Sequence, residues 1–325
     1  MRKRMRFILP LICCSVTALT GCDFITIVDN DDDSDVIEDK GTYYKNYNME
    51  LEGGRLHYEL QKQCFDKHKT YITYSQVNSY YVTNSSHDSA EAVKAKSKLN
   101  QWFYTGKEAT GYGTREHVWP CASSARLWVH DKTNVHTHNV DNGSYVGGGS
   151  DLYHVRTCNS TVNTARGDSH FVEFSDPEME SYRDSTMQIG ESGGKYKLTI
   201  QGKDIDPTSS EAPEYADRAE PVKEMKGDVA RIILYLWIHY TDRGIAPSGS
   251  IMSGGLEFTY QGMTGSLLLT DIMGYKTEER CLEKLKEWNK IDPPSTVEIH
   301  RNDTVQRIQG NRNPFVDFPN LADQL

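Results

Sequence analysis

The chain has 325 residues, 37% of them apolar and 25% charged, which suffices for one large or two smaller packed domains and excludes disorder across the body. Its formal net charge of −10 counts against a protein that grips nucleic acid with a broad basic face. The basic amino terminus hides part of that acidity: beyond residue 22 the chain carries about −14, of which about −7 falls between residues 23 and 40.

The first predicted element is a leader. Arg2, Lys3, Arg4 and Arg6 precede an apolar run over residues 7–19 that ends in LTGC. Residues 1–22 therefore read as a lipoprotein-type signal peptide, with Cys22 becoming the lipidated residue that ties the chain to a membrane. An ordinary secretory signal is the alternative, and the run is short for a membrane span. Residues 23–44 follow as an acidic tether, since the run DNDDDSD has no apolar surface to bury. The body, residues 45–325, has no linker that divides it. The location implied is that of an exported lipoprotein at the outer membrane or cell surface, periplasmic or extracellular.

Cys64, Cys121, Cys158 and Cys281 belong to the body. An even count in an exported chain predicts disulfides. Cys121 and Cys158 each lie four residues beyond a histidine, His117 and His154, which favours that pair and leaves Cys64 with Cys281. Zinc is the rival use, without a CxxC spacing to support it.

Residues 51–65 and 89–103 have helical patterns separated by turn residues, and His57, His68 and His87 are expected on the surface. Glu116 and His117 then sit in a short β-prone run halted by Pro120. A long loop over 122–150 carries His130, His136 and His138, read as incidental. Residues 152–156 follow as a second strand behind the glycines of 147–149. Asn159, Ser160 or Thr161 can cap a short helix bearing Asn163 and Arg166. Residues 173–221 read as loops around one strand at 196–200. Residues 226–240 predict a helix with Val229, Ile232, Ile233, Leu236 and Trp237 on one apolar stripe. Further helices are expected at 281–289 and 295–309, with Arg301, Arg307 and Arg312 serving either as phosphate contacts or as solvated ion-pair partners.

Residues 114–171 are the chemically dense part, holding Glu116, His117, Asp151, His154, Arg156, Asn163 and Arg166. A carboxylate, an amide oxygen and an imidazole brought together by strand, strand and helix can hold one hard divalent cation beside one general base. Of the two arginines, Arg166 lies one helical turn beyond Asn163 and is the better candidate to fork onto a phosphate.

REHVWP at 115–120, GGGSDLYHVR at 147–156 and VNTARGD at 162–168 resemble the bacterial endonuclease I family. KGDVARIILYLWIHY at 226–240 and RNDTVQRIQGNRNPFVDFP at 301–319 are similar to that family's later blocks, so the resemblance covers roughly 51–325. It implies an α+β, mainly helical single domain around a ββα-metal (His-Me finger) core. It also implies an extracytoplasmic, largely nonspecific Mg2+-dependent endonuclease, with Mn2+ or Ca2+ as alternative ions, acting on DNA and also on RNA and leaving 5'-phosphate ends. On this resemblance His117 is the general base, Glu116 and Asn163 are the metal ligands, and no protein partner is implied. The family's DLHHLRP reads DLYHVRT here, with Tyr153 and Thr157 as departures. A surface lipoprotein that binds polysaccharide or protein through a non-catalytic finger is the competing expectation.

Overall fold

Two tyrosines anchor the first described helix. Helix α1 (Lys40–Tyr44) buries Tyr43 and Tyr44, and Lys40 pairs with Asp317 at 3.1 Å. The last five residues that the sequence places in the tether are therefore helical, with both tyrosines buried. The computed structural model describes residues 40–70, 72, 74, 76–77, 102–104, 114–120, 128–129, 146–179, 186–192, 195–200, 203–205, 218–240 and 267–325. All of them belong to one compact unit, Val36–Leu325. The leader, Cys22, the acidic run, Cys121, the helix expected from residue 89, and His87, His130, His136 and His138 lie outside the described residues. No described helix is long and apolar enough to cross a membrane.

Helix α2 (Gly53–Lys67) buries Leu56, Leu60 and Cys64, the i, i+4, i+8 row that its sequence spacing sets up. His57 and His68 are buried too, not on the surface as their isolation in sequence suggests. The reason is tertiary: α2 lies against a later helix, and the His57 ring meets the edge of Trp237 at 4.6 Å.

The dense segment supplies strands β1 (Thr114–His117), β2 (Trp128–Val129), β3 (Val146–Gly147) and β4 (Val155–Cys158), then helix α3 (Ser160–Arg166). β1 runs antiparallel to β4, with Glu116 opposite Arg156 and His117 opposite Val155; β2 pairs with β3. The second strand begins three residues later than its sequence pattern suggests. Asp151 bends the chain first: its carbonyl accepts from the amides of His154 and Val155, and its side chain accepts from the amide of Tyr153. Asn159 caps α3, accepting from Thr161 N at 2.9 Å and Val162 N at 3.3 Å.

Among the described residues of 173–221, strands prevail over loops. A five-stranded sheet of order β5-β9-β6-β7-β8 combines β5 (His170–Phe171), β6 (Thr186–Ser192), β7 (Lys195–Ile200), β8 (Lys203–Ile205) and β9 (Arg218–Glu220). Strand β7 contains the one strand that the sequence singles out. Ser192 pairs with Lys195 and Ile200 with Lys203 in antiparallel register, and the sequence between Ser192 and Lys195 is a pair of glycines. Such glycine pairs are the local signature of a hairpin.

Helix α4 (Lys223–Tyr240) is the axis of the core. The predicted stripe is buried at Val229, Ile232, Ile233 and Leu236, with Trp237 partly covered, but Leu234, Tyr235 and Ile238 are fully buried as well. The helix is wrapped on nearly all sides, by α2 on one flank and by α5 (Glu278–Ile291) on another. At Gly227 a Cβ would stand 1.8 Å from the carbonyl oxygen of Asp292, so only glycine permits this approach to the end of α5. Helix α6 (Thr296–Gln309) is capped by Ser295 and closed by Gly310 at φ 92°, and α7 (Pro314–Asp317) follows.

The arginines of this region face inward. Arg231 is bound by both oxygens of Glu298, Arg312 by Asp317 at 2.6 Å, and Arg301 donates to the carbonyls of Leu152 and Val155. Arg301 and Arg312 are therefore internal braces, neither phosphate contacts nor solvated partners, whereas Arg307 is exposed. Among the described residues no disulfide forms: Cys64, Cys158 and Cys281 are buried free thiols. Cys158 faces the carbonyl of Phe103 and Cys281 that of Tyr275. They pack as small apolar residues, which removes the Cys64–Cys281 pairing, while the partner expected for Cys158, Cys121, lies outside the described residues.

Candidate active site

The β1–β4 pair and α3 place the three residues of interest on one small unit. Asn163, in the first turn of α3, donates from Nδ2 to Thr114 Oγ1 at 2.9 Å and to the carbonyl of Arg115 at 3.0 Å. The amide is thereby pinned to β1 just ahead of Glu116. Its Oδ1 accepts no hydrogen bond among the described residues.

Glu116 is buried. Its Oε1 accepts from the hydroxyl of Tyr104 and from Arg166 Nη1 at 3.1 Å, while Oε2 has no partner among the described residues. Burial raises the carboxyl to a pKa of about 7, against the opposing pull of Arg166 and Tyr104. Two hard oxygens with unused lone pairs, one on a carboxylate that pays for its charge, fit a divalent cation that prefers oxygen ligands.

His117 is half-buried at the end of β1. Its Nε2 lies 2.8 Å from the carbonyl oxygen of Gly149. A carbonyl only accepts, so Nε2 carries the proton and Nδ1 the lone pair, the arrangement a general base needs. The ring stacks on Tyr74 at 5.5 Å. Arg115 lies 4.0 Å over the same tyrosine ring and donates to the Tyr74 carbonyl at 3.2 Å.

His154 braces this arrangement. Its Nδ1 donates to the carbonyl of Gly148 at 2.7 Å and its Nε2 accepts from the amide of Trp119 at 2.9 Å. Both nitrogens are spent on backbone, joining the glycine turn to the end of β1, so His154 is no second base. Burial, then the neighbouring His117, holds its pKa well below the ordinary histidine value. The unfolded chain takes a proton here below about pH 6.5 and the folded chain does not, so this stabilisation is complete above that pH and is lost as the pH falls. His154→Gln is expected to weaken the acid dependence of stability by up to about 1.4 kcal/mol per pH unit. Urea midpoints measured from pH 7.5 to 5 test this, and parallel curves for the two chains would contradict it.

The other candidates are arranged differently from their sequence expectation. Arg166 has no exposed surface. Besides Glu116, its guanidinium donates to the carbonyls of His117 at 3.0 Å and Val118 at 2.7 Å. Its fork is turned onto β1 and positions Glu116, which replaces the phosphate contact expected from its place in the helix. Arg156 pairs with buried Asp228 at 3.1 Å.

Tyr104 carried no sequence signal. Among the described residues it is the one non-glycine with a positive φ, 72°, and its buried hydroxyl reaches Glu116. Strain of this kind persists where the surroundings fix the residue. Arg115 was legible only as part of REH, although strand alternation puts it on the same side of β1 as His117.

Comparison with known proteins identifies the family. Residues 52–320 match the family described as Endonuclease I. The chain is 28% identical over 218 residues to the extracellular ribonuclease of Bacillus subtilis (strain 168), covering 66% of this chain and 54% of that protein. It is 28% identical over 218 residues to the extracellular ribonuclease of Bacillus amyloliquefaciens, covering 67% of this chain and 55% of that protein. The chain thus spans about half the length of the curated relatives it matches. With the family match extending over most of its body, the chain belongs to the endonuclease I family.

Proposed function

We propose that this chain is an exported, metal-dependent endonuclease that hydrolyses phosphodiester bonds in DNA and also in RNA. The observation that carries the reading is the trio on β1 and α3. Glu116 Oε2 and Asn163 Oδ1 are uncommitted among the described residues, and the His117 tautomer is fixed by Gly149. The β1–β4–α3 unit is read as a ββα-metal (His-Me finger) core.

Hydrolysis needs a nucleophilic water on one side of phosphorus and a stabilised leaving oxygen on the other, in line. His117 Nδ1 takes the proton from that water, and its Nε2–H bond to Gly149 holds the ring while the charge develops. Glu116 and Asn163 would hold a hard cation, Mg2+ with Mn2+ or Ca2+ as alternatives, which when bound neutralises charge on the phosphate and the leaving 3' oxygen. Arg166 and Tyr104 orient Glu116 by engaging its other oxygen. Departure of the 3' oxygen leaves a 5'-phosphate end.

Arg115 replaces Arg166 as the phosphate contact in this reading, because it is half-buried on the His117 side of β1 while Arg166 is sealed. A hydrogen bond to a charged group contributes about 1.5–3 kcal/mol. Arg115→Ala is therefore expected to lower kcat/KM roughly ten- to hundredfold, chiefly through KM; an unchanged kcat/KM would remove Arg115 from the site.

The relatives named as extracellular ribonucleases support export and an RNA substrate. The leader ending in LTGC supports acylation at Cys22. Cys22→Ser is expected to move the chain from the membrane fraction to the soluble extracytoplasmic fraction, and an unaltered distribution would contradict a lipid anchor. End-labelled duplex DNA and RNA oligonucleotides, incubated with the full chain and Mg2+ or with EDTA, test the activity. Cation-dependent cleavage of both with 5'-phosphate products is expected, and failure to cut either would leave the surface-binding reading.

A further inference from the structure

Behind the finger, three buried side chains from distant parts of the sequence point their ligand atoms at one another. His68 follows the end of α2, Asp151 opens the turn before β4, and His239 sits in the last turn of α4. One ligand atom from each lies within 4.8 Å of the other two. We propose that His68, Asp151 and His239 form an internal site for a Zn2+-class cation, separate from the oxygen pair of Glu116 and Asn163.

The hydrogen bonds around the cluster fix which atoms face inward. His68 Nε2 lies 3.1 Å from the carbonyl oxygen of Thr70, so it donates and the lone pair is on Nδ1. The hydroxyl of Tyr235 donates its proton to Asp151 Oδ2 at 2.7 Å, so its oxygen receives the Nδ1–H of His239 at 2.8 Å. That leaves the His239 lone pair on Nε2, which is fully buried and has no hydrogen-bond partner among the described residues. An imidazole whose second nitrogen is spent on a carbonyl or a hydroxyl is the usual state of a metal-bound histidine.

Asp151 is held just as firmly. Its Oδ2 also accepts from Tyr240, and Oδ1 accepts from the amide of Tyr153 and from Gln309, so all four lone pairs are in use and the ion would take the place of the Tyr240 hydroxyl on Oδ2. Aromatic packing accounts for the rings: His239 stacks on Tyr240 at 4.2 Å and meets Phe65 edge-on at 4.5 Å. It does not account for two imidazole lone pairs and a carboxylate grouped in the interior. Two nitrogens and one oxygen select a borderline ion such as Zn2+ over Mg2+. Bonds of about 2.0–2.2 Å require ligand atoms closer together than the present limit, so binding would draw the three side chains inward. The ion would clamp the finger's turn to the two helices behind it. Asp151 N already donates to the carbonyl of Gly148, next to the residue that holds His117.

The test uses the purified full-length chain, with Zn2+ and Co2+ as probes. After dialysis against metal-free buffer, one Zn2+ per chain is expected by elemental analysis. Substitution by Co2+ should give the visible bands of a low-coordinate nitrogen and oxygen site, and Zn2+ should raise the unfolding temperature. Glu116→Gln should keep the bound Zn2+, while His68→Gln and His239→Gln should each lose it. A wild-type chain without stoichiometric Zn2+ or Co2+ bands overturns the proposal, and that arm needs no variant to fold. Loss of the ion in Glu116→Gln with retention in His68→Gln overturns it too.

Discussion

His117→Ala is expected to slow phosphodiester cleavage about a hundred- to ten-thousand-fold, the usual contribution of a general base, with little change in the unfolding temperature. Loss of rate follows from removing Nδ1, the nitrogen that the Gly149 bond leaves as acceptor. The fold should survive because His117 is only half-buried, and the turn beside it is separately held by His154 through Gly148 and Trp119. Binding of uncleaved DNA should persist, since the groups proposed to meet phosphate remain. Cleavage at the wild-type rate would eliminate His117 as the base.

Arg166→Met is expected to act on stability first. The methionine fills much of the space but leaves Glu116 as a buried carboxylate without its cation, and the carbonyls of His117 and Val118 without their donor. Breaking a buried pair by removing one member costs about 3–5 kcal/mol. Arg166→Lys should recover only part of this, because a single ammonium cannot span acceptors set around a planar fork. Adding Glu116→Gln to Arg166→Met should restore stability while the chain stays inactive, since the charge needing a partner is then gone. Urea unfolding of the three variants distinguishes the roles. Wild-type stability combined with lost activity would return Arg166 to the phosphate.

What could be read from the sequence was what is determined locally. Pro120 and the β-prone run around Glu116 marked the end of β1, and Asn159 marked the start of α3 because its side chain bonds amides two and three residues on. The spacing of Val229, Ile232, Ile233 and Leu236 marked α4. What was missed depends on partners far along the chain. Nothing near Arg166 indicates that it bonds carbonyls some 48 positions earlier, and nothing near Arg312 reveals that it turns inward. His57 and His68 look like surface residues until α2 is laid against α4. Cys64, Cys158 and Cys281, which Cys121 brings to an even count, invite pairing only if that count outweighs the burial of these three as free thiols. The strands between 186 and 205 are a different case, because their polar composition points to loops while Gly193-Gly194 is the local signal of a hairpin.

The central claim is that Glu116 and Asn163 share one cation beside His117. Crystals of His117→Ala soaked with Mn2+ and a short DNA duplex test it through the anomalous signal of the metal. The account requires a Mn2+ peak bonded to Glu116 Oε2 and Asn163 Oδ1, with a backbone phosphate in its shell on the side where residue 117 points. A phosphate bound at the hairpin with no Mn2+ on those two oxygens would contradict it.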